Sequence, residues 1–532
     1  MTPSDFSAID LAVIQQLVNA IPEEMGAVLG RSAYSTNIKE RKDYSCALFT
    51  SEGKLLAQAA HIPVHLGAMP RSVEAVLDDF PTLSPGDVIM LNDPFRGGSH
   101  LPDITLVSPL FFESGDGISG YAATRAHHAD VGGMSAGSLP NSTSIYQEGL
   151  RIPPVRLVEN GKLKEDILRI LCANSRNPVE RKGDIRAQLQ SHTLADIRWK
   201  EVGERQGTTR MEAMGTALLE VGERSMKKVL AKLPVGTWSA EERLEHADKD
   251  HEFTYLRATL LTLEDTVVVD FSESDDAVSG SLNAVHAICE SAMYYAFLCL
   301  LNAEHPDEVL PVNHGTFLPL TCITRKGSVL NAEMPHAVAG GNVETSQRIV
   351  DLVFKLVKQL LPEALPAQSQ GTMNNVTMGG MDEEGNFFSY YETLGGGAGA
   401  SRTQSGADAV QVHMTNTLNT PVEALEFSAP LFIREVAIRE NSGGAGRFRG
   451  GNGLIREWEM RVPVEVTLLT ERRTLSPAGS QGGGDGCPGK QSRILPDGTC
   501  IPLAGKGTWV FEKGDRLRVE TPGGGGYGQP VS

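Results

Sequence analysis

The chain has 532 residues, of which 40% are hydrophobic and 21% charged, as in a globular protein large enough to contain more than one core. The 66 acidic residues outnumber the 48 basic ones, and the formal charge of -18 argues against nucleic acid or an anionic membrane as a partner. Seven scattered cysteines without a CxxC pair argue against a zinc ribbon or a disulfide framework, and no apolar run is long enough to cross a bilayer.

The first part of the sequence is predicted to begin with a helix and to continue as strands. Its N-terminus lacks the basic region and apolar core of a secretion signal, so we expect a cytoplasmic protein. Apolar residues at helical spacing predict a helix over residues 8–29. From residue 37 to 157, short apolar runs such as Cys46–Phe49, Val88–Leu91 and Ile104–Phe111 alternate with Gly/Pro turns, which predicts strands joined by loops.

The middle of the sequence is predicted to be helical. Long amphipathic patterns cover residues 184–198 and 210–233, and helices are also predicted at about 284–302 and 345–361. Residues 252–272 contain β-like runs. The C-terminal part combines short strands with glycine-rich segments, which are typical of turns.

These patterns predict an α+β fold with a mixed, multi-subdomain architecture, β-rich in its N- and C-terminal parts and helical in the middle. We expect four regions along the chain. They are an N-terminal metal-site region (1–160), a helical segment (161–235), a mixed α/β region (236–420) and a C-terminal β-rich region (421–532).

One short stretch, Asn92-Asp-Pro-Phe-Arg-Gly-Gly-Ser-His100-Leu-Pro-Asp103, holds the first residues of a candidate metal site. His100 and Asp103 have an H-x-x-D spacing, and Pro102 with the preceding glycines indicates a loop that enters a strand. Such a loop can direct both side chains at one point. A second cluster, His127-His128-Ala-Asp130, follows, and imidazole and carboxylate groups together suit Zn, Mn or Fe.

Two interpretations of these residues are open. In a metal site, His127 or His128 would supply a third ligand and Asp43 a fourth, which leaves room for water. Alternatively, the histidines and aspartates cap turns and pair with Arg96 and Arg125. We adopt the metal site as the hypothesis for the group as a whole.

Other catalytic patterns are weaker or absent. His61 and His65 form a further pair, for which we expect a structural or substrate-lining role. The sequence has no GxxxxGK[ST] phosphate loop and no GxSxG nucleophile elbow. Its nearest approach to a phosphate loop, Gly395-Gly-Gly-Ala-Gly399, is expected to form turns in β structure. We therefore expect the chain not to bind ATP through a recognised motif.

Several longer segments resemble one protein family in sequence and in order. They are Asn37-Ile-Lys-Glu-Arg-Lys-Asp43-Tyr-Ser, the segments around His100 and His127, Gln147-Glu-Gly-Leu-Arg-Ile-Pro-Pro-Val, Gly183-Asp-Ile-Arg-Ala-Gln, Gly341-Asn-Val-Glu-Thr-Ser-Gln-Arg-Ile, Gly446-Arg-Phe-Arg-Gly-Gly and Thr521-Pro-Gly-Gly-Gly-Gly-Tyr-Gly. On these residues the chain resembles the B (β) subunit of the hydantoinase B/5-oxoprolinase family over nearly its whole length. Small departures at Phe95-Arg96 and Ser99 do not affect the proposed ligands.

The resemblance implies an ATP-dependent enzyme that opens a small cyclic amide such as 5-oxoproline, a hydantoin or a lactam. It also implies a hetero-oligomer with an A-type subunit of actin-like ATPase fold, which binds ATP and Mg and phosphorylates the amide. This chain would then complete the hydrolysis at a metal. Relatives that carboxylate acetone or acetophenone share the motifs, so a carboxylase subunit is an alternative, and a non-catalytic scaffold of the ATPase subunit is another.

Residue by residue, the resemblance implies Asp43, His100, Asp103 and His127 as the ligands of one divalent transition metal, Zn, Mn or Fe. The alternative to His127 is its neighbour His128. The candidates for proton transfer are His128, Asp130 and Glu344.

Overall fold

The structure, a computed structural model, describes residues 6–59, 62–113, 117–245, 252–305 and 310–530. His61 therefore lies outside the described residues. The α-helices are α1 (Ala8–Ser32), α2 (Thr36–Lys39), α3 (His65–Asp79), α4 (Glu165–Ala173), α5 (Pro178–Gln206), α6 (Thr208–Leu230), α7 (His286–Glu304), α8 (His314–Phe317), α9 (Ser346–Leu360) and α10 (Val422–Ser428). None of the helices in the described part of the chain has the length and hydropathy needed to cross a bilayer.

The strands form four sheets. In chain order they are β1 (Tyr44–Thr50), β2 (Leu55–Ala59), β3 (Val88–Leu91), β4 (Asp103–Phe111), β5 (Ile118–His127), β6 (Val155–Glu159), β7 (Lys162–Leu163), β8 (Gly236–Glu245), β9 (Phe253–Thr262), β10 (Val267–Asp270), β11 (Leu320–Ile323), β12 (Asn375–Met381), β13 (Phe387–Glu392), β14 (Leu431–Arg439), β15 (Gly453–Met460), β16 (Val464–Leu469), β17 (Lys490–Ile494), β18 (Cys500–Pro502), β19 (Lys506–Phe511) and β20 (Arg516–Glu520). The sheet orders are β2-β1-β5-β4-β3-β6-β7, β11-β10-β9-β8, β13-β12-β16-β19 and β14-β15-β20-β17-β18. The predicted α+β fold with several subdomains is confirmed.

The seven-stranded sheet is buried on both faces. Cys46 and Leu48 of β1 pack with α1, α5 and α6, whereas Ala47 and Phe49 of the same strand pack in the core that contains α3 and α7. Successive side chains of a strand point to opposite faces, and burial on both faces accounts for the continuous apolar sequence of these strands. The ends of its central strands β4 and β5 therefore lie inside the protein. The largest hydrophobic core contains residues from Ala47 to Leu469 and so draws on several of the predicted regions. The division of the chain into four regions stays a prediction.

The glycine-rich segments pack against one another, which differs from the turns expected for Gly395–Gly399. Gly397 N donates to Pro522 O at 2.9 Å, Gly524 N to Gly451 O at 2.9 Å, and Gly526 N to Gly484 O at 2.9 Å. A Cβ atom on Gly397 would lie 2.0 Å from Gly451 O and 2.2 Å from Gly524 N. These glycines are present because the backbones approach too closely for any side chain.

The variant Gly397→Ala is expected to destabilise the C-terminal part by more than about 3 kcal/mol, because its methyl group meets two backbone atoms that cannot move aside cheaply. Gly117→Ala is the matched control, since a Cβ atom there meets nothing within 4 Å. Thermal unfolding should show a lower melting temperature for Gly397→Ala alone. Equal melting temperatures for the two variants would contradict the close packing.

Candidate metal centre

Three of the predicted ligands meet where β4 begins and β5 ends. Asp103 is the first residue of β4 and lies opposite His127, the last residue of β5, in their antiparallel register. His100 lies in the loop before β4, and the amide of Asp103 donates to the His100 carbonyl at 3.2 Å. The loop turns at Gly97, whose φ of 87° favours glycine. The structure thus contains the predicted loop, which Pro102 and the preceding glycines indicate, at the entrance to a strand.

The three side chains are close enough to share one ion. Asp103 Oδ1 lies 2.9 Å from His100 Nε2 and 3.3 Å from His127 Nδ1. A ligand atom of each residue lies within 4.8 Å of those of the other two. Two ligands that bind one ion at about 2.1 Å are themselves about 3 to 3.4 Å apart. The arrangement therefore fits a divalent transition metal.

Burial and neighbouring charges shift the pKa values of Asp103 and His127 toward the protonation states that metal ligands need. Burial alone would raise the pKa of Asp103, but the charge and hydrogen bond of His100, followed by His127 and His65, hold that pKa well below its usual range. Burial lowers the pKa of His127, an effect that Asp103 only partly offsets. An ionised carboxylate beside a neutral imidazole is the donor set that divalent Zn, Mn or Fe binds.

Asp43 and His65 lie next to this cluster. The carbonyl of Asp43 accepts a hydrogen bond from His127 N at 2.9 Å, but the carboxylate of Asp43 is not in the group of three. Its role as a fourth ligand stays a prediction. His65 Nε2 lies 3.4 Å from Asp103 Oδ2, and His65 Nδ1 lies 2.8 Å from Ser45 Oγ. Asp103 therefore contacts three imidazole rings.

His128 and Asp130 make their polar contacts away from the cluster. His128 Nε2 lies 3.0 Å from Gln188 Oε1 on α5, and burial, with the charge of Arg181, lowers the pKa of His128 to about 3. Asp130 pairs with Arg176 at 3.1 Å, and burial raises its pKa. The structure therefore does not bring these two candidates together with His127, and their roles in proton transfer stay predictions.

Glu344 lies on a short π-helical turn, Gly341–Thr345, that leads into α9. Its Oε1 accepts hydrogen bonds from Asn375 Nδ2 at 2.7 Å and Met373 N at 3.0 Å, whereas its Oε2 has no partner among the described residues. Asn342, on the same turn, places Nδ2 3.2 Å from His100 Nε2. Burial raises the pKa of Glu344 to about 8, so this carboxyl group holds a proton at neutral pH.

Tyr391 of β13 connects His127 with Glu344, and the sequence contains no signal for this role. Its ring stacks on the imidazole of His127 with centroids 4.7 Å apart, and the guanidinium of Arg41 lies 4.7 Å from the centroid of Tyr391. The Tyr391 hydroxyl donates to Asn375 Oδ1 at 3.0 Å, and Asn375 in turn donates to Glu344. The stack fixes the plane of the His127 ring, as groups behind metal ligands commonly do.

Tyr391→Leu is expected to weaken metal binding by about tenfold to a hundredfold, because it removes the ring that holds His127 in place. Tyr391→Phe is the matched control, since it keeps the stack and removes only the hydroxyl. Competition with a metal indicator dye should give the wild-type affinity for Tyr391→Phe. Equal affinities for the wild type and Tyr391→Leu would show that the stack does not position the ligand.

Comparison with known proteins places the whole chain in one family. Residues 7–530 match the family described as hydantoinase B/oxoprolinase. An uncharacterized protein of Methanocaldococcus jannaschii is 39% identical over 98% of this chain and 91% of its own length. 5-oxoprolinase 1 of Arabidopsis thaliana is 37% identical over 98% of this chain, which spans only 42% of that protein. The B subunit of a putative D-/L-hydantoinase from a Pseudomonas species is 28% identical over 99% of this chain and 91% of its own length.

Two solved structures have the same fold. The ATP-dependent caprolactamase from Pseudomonas jessenii aligns with a TM-score of 0.91 and 27% identity, over 98% of this chain and 91% of that chain. An acetone carboxylase aligns with a TM-score of 0.88 over 98% of this chain and 76% of that chain, and its 17% identity is evidence for the fold alone. The resemblance seen in the sequence motifs is confirmed. The chain belongs to the hydantoinase B/oxoprolinase family.

Proposed function

We propose that the chain is the metal-containing catalytic subunit of an ATP-dependent enzyme that opens a cyclic amide, such as 5-oxoproline, a hydantoin or a lactam. The observation that carries the proposal is the buried cluster of His100, Asp103 and His127, in a chain whose relatives include enzymes named 5-oxoprolinase and caprolactamase. The three residues are at most 2% exposed. A water-excluding site of this kind strengthens the interactions of ligands with developing charge.

The proposed reaction is divided between two subunits. An amide carbonyl is a poor electrophile, and phosphorylation of its oxygen removes the amide resonance and creates a leaving group. We assign that step to an A-type partner with an actin-like ATPase fold, which would bind ATP and Mg. The relative named as the B subunit of a hydantoinase supports a hetero-oligomer, and the lack of a recognised phosphate loop in this sequence agrees with the division.

Within this chain, His100, Asp103 and His127 would hold the ion, with Asp43 as the proposed fourth ligand. A bound Zn, Mn or Fe ion would activate water and stabilise negative charge. Glu344 is the proposed acid, because its carboxyl group holds a proton at neutral pH and its Oε2 is free of partners among the described residues. Glu344 Oε2 would give its proton to the ring nitrogen as the C–N bond breaks, which leaves an acyl phosphate that a second water hydrolyses to the carboxylate and phosphate.

A carboxylase is the second candidate, because the resemblance includes relatives that carboxylate ketones and share these motifs; the acetone carboxylase structure itself is evidence for the fold alone. Its substrate would be a ketone, and its reaction would require bicarbonate. The ligand cluster suits both reactions, so the substrate dependence of ATP hydrolysis must separate them. A third possibility, a scaffold for the ATPase subunit without catalytic function, would need no metal.

The proposal predicts that the chain co-purified with its A-type partner hydrolyses ATP when a cyclic amide is added, without bicarbonate. The isolated chain should neither bind Mg-ATP in calorimetry nor hydrolyse it, because the sequence has no recognised phosphate loop. ATP hydrolysis that depends on a ketone and bicarbonate would favour the carboxylase instead. Micromolar binding of ATP by the isolated chain would contradict the division between subunits.

A further inference from the structure

A cavity of about 520 Å³ lies outside the metal cluster, since none of the proposed metal ligands lines it. Its walls come from residues 141–143, 279–282 and 503–507, together with Glu245, Thr470, Arg473 and Thr474. The volume is in the range of small-molecule sites, roughly 300 to 1,000 Å³. Leucine side chains supply the apolar part of the wall, so the cavity can accommodate the hydrocarbon part of a small ring.

The guanidinium of Arg473 lines this cavity and forms no ion pair with a described residue, although the carboxylate of Glu245, which accepts from the Arg473 amide at 2.8 Å, lines the cavity as well. Its Nε donates to Gln491 Oε1 at 2.6 Å, its Nη1 to Glu471 O at 2.6 Å and its Nη2 to Asn374 Oδ1 at 2.9 Å, and all three acceptors are neutral groups. Burial lowers its pKa to about 10, so Arg473 remains charged at neutral pH. A guanidinium has five N–H groups, and two of those of Arg473 remain available.

Lys506 also lines the cavity, where its charge is paired with the buried carboxylate of Glu471. Its Nζ donates to Glu471 Oε1 at 2.6 Å and to Glu245 O at 2.7 Å, which leaves one of its three N–H groups available. Ser281 and Thr474 contribute hydroxyl groups to the lining. Charged N–H donors together with hydroxyl groups are the combination that binds carboxylate and phosphoryl oxygens.

Hydrogen bonds connect the lining of the cavity with buried residues next to the metal ligands. Arg473 bonds to Asn374, and the next residue, Asn375, bonds to Glu344. On the opposite wall, Ser142 Oγ donates to Glu148 Oε1 at 2.7 Å, and that carboxyl group also accepts from the backbone of the segment that leads to Asn342. A ligand in the cavity would therefore lie against the residues that position His100 and Glu344.

We propose that this cavity binds the anionic group of the substrate through Arg473 and Lys506, an inference that rests on the proposed function. Two sources have the same chemistry. The anion is either a carboxylate carried by the cyclic amide or the phosphoryl group added by the partner subunit. In both cases Arg473, together with the remaining N–H group of Lys506, holds the charged group.

Calorimetric titration of the full chain with inorganic phosphate and with acetate, at constant ionic strength, tests the proposal. The wild type should bind at least one of the two anions saturably. Arg473→Gln should weaken that binding at least tenfold, because it removes the unpaired charge. Thr143→Glu should weaken it to a similar extent by placing a carboxylate at the exposed rim, where the substitution does not disturb the core. Arg516→Gln, which changes a partly buried arginine outside the cavity, should bind as the wild type does.

The same titration in His100→Ala distinguishes anion binding in the cavity from anion binding at the metal. Anion binding should persist in this variant, because His100 does not line the cavity. Tighter binding of phosphate would identify the phosphoryl group as the ligand, and tighter binding of acetate the carboxylate. Absence of saturable binding of both anions to the wild type, or unchanged binding in both Arg473→Gln and Thr143→Glu, would overturn the proposal. Arg473→Gln should retain its metal. A failure of the anion-binding proposal therefore differs from a failure of the proposed function, which would appear as a loss of metal-dependent activity.

Discussion

Asp103→Ala is expected to abolish stoichiometric metal binding, with a loss of affinity greater than about a hundredfold. Asp103 is the carboxylate of the three-residue cluster, and its two oxygens lie within 3.4 Å of nitrogens of His65, His100 and His127. Without it, only the two imidazoles and the proposed fourth ligand, Asp43, would be left to bind the ion. Elemental analysis of protein purified without chelator should find about one Zn, Mn or Fe per wild-type chain and none in the variant.

The control for this experiment is Asp382→Ala. Asp382 is a partly exposed aspartate that accepts a hydrogen bond from Asn386 N at 2.7 Å in a loop outside the cluster. The Asp382→Ala variant should retain the wild-type metal content, and circular dichroism should show that both variants are folded. A folded Asp103→Ala variant with one metal per chain would mean that the metal site lies elsewhere.

His100→Ala, assembled with the A-type partner, is expected to raise the ratio of ADP to ring-opened product well above the wild-type value. Phosphorylation in the partner should continue, whereas ring opening should lose several kcal/mol of transition-state stabilisation, a factor of about a hundred or more. His100 is fully buried and makes contacts with Asp103 and Asn342, so its removal acts on the cluster directly. Parallel assays of ADP and of product measure the ratio.

Gel filtration provides the control for assembly, because a misfolded variant would fail to form the complex. An assembled variant whose ADP and product fall together, at an unchanged ratio, would contradict the two-step assignment. That result would mean that the cluster is needed for phosphorylation or for substrate binding.

The parts of the structure that depend on local sequence could be predicted. The strand Val88–Leu91 has the predicted bounds, and α9 covers Ser346–Leu360, where residues 345–361 were expected. Apolar periodicity sets these elements, and the turn residues around Gly97 and Pro102 identify the loop that carries His100. Imidazole and carboxylate groups on such a loop were enough to identify the cluster as a metal-site hypothesis.

The parts that depend on tertiary packing could not be predicted. His127 and His128 are adjacent in the sequence, and only the structure shows that the first faces Asp103 and the second Gln188. Tyr391 has the pattern of an ordinary strand residue, yet it stacks on a histidine far away in the chain. Similarly, nothing in the sequence around Arg473 indicates that this arginine lines a cavity. Nor does the sequence indicate that its guanidinium forms no ion pair with a described residue.

Removal and return of the metal in the assembled pair tests the central claim most directly. The pair is treated with chelator, tested for ring opening of its cyclic amide, and then titrated with Zn, Mn or Fe while bound metal is measured. We expect the chelated pair to form almost no product, and activity to return in proportion to metal up to about one ion per chain held by His100, Asp103 and His127. Full ring-opening activity in the metal-free pair would contradict the account.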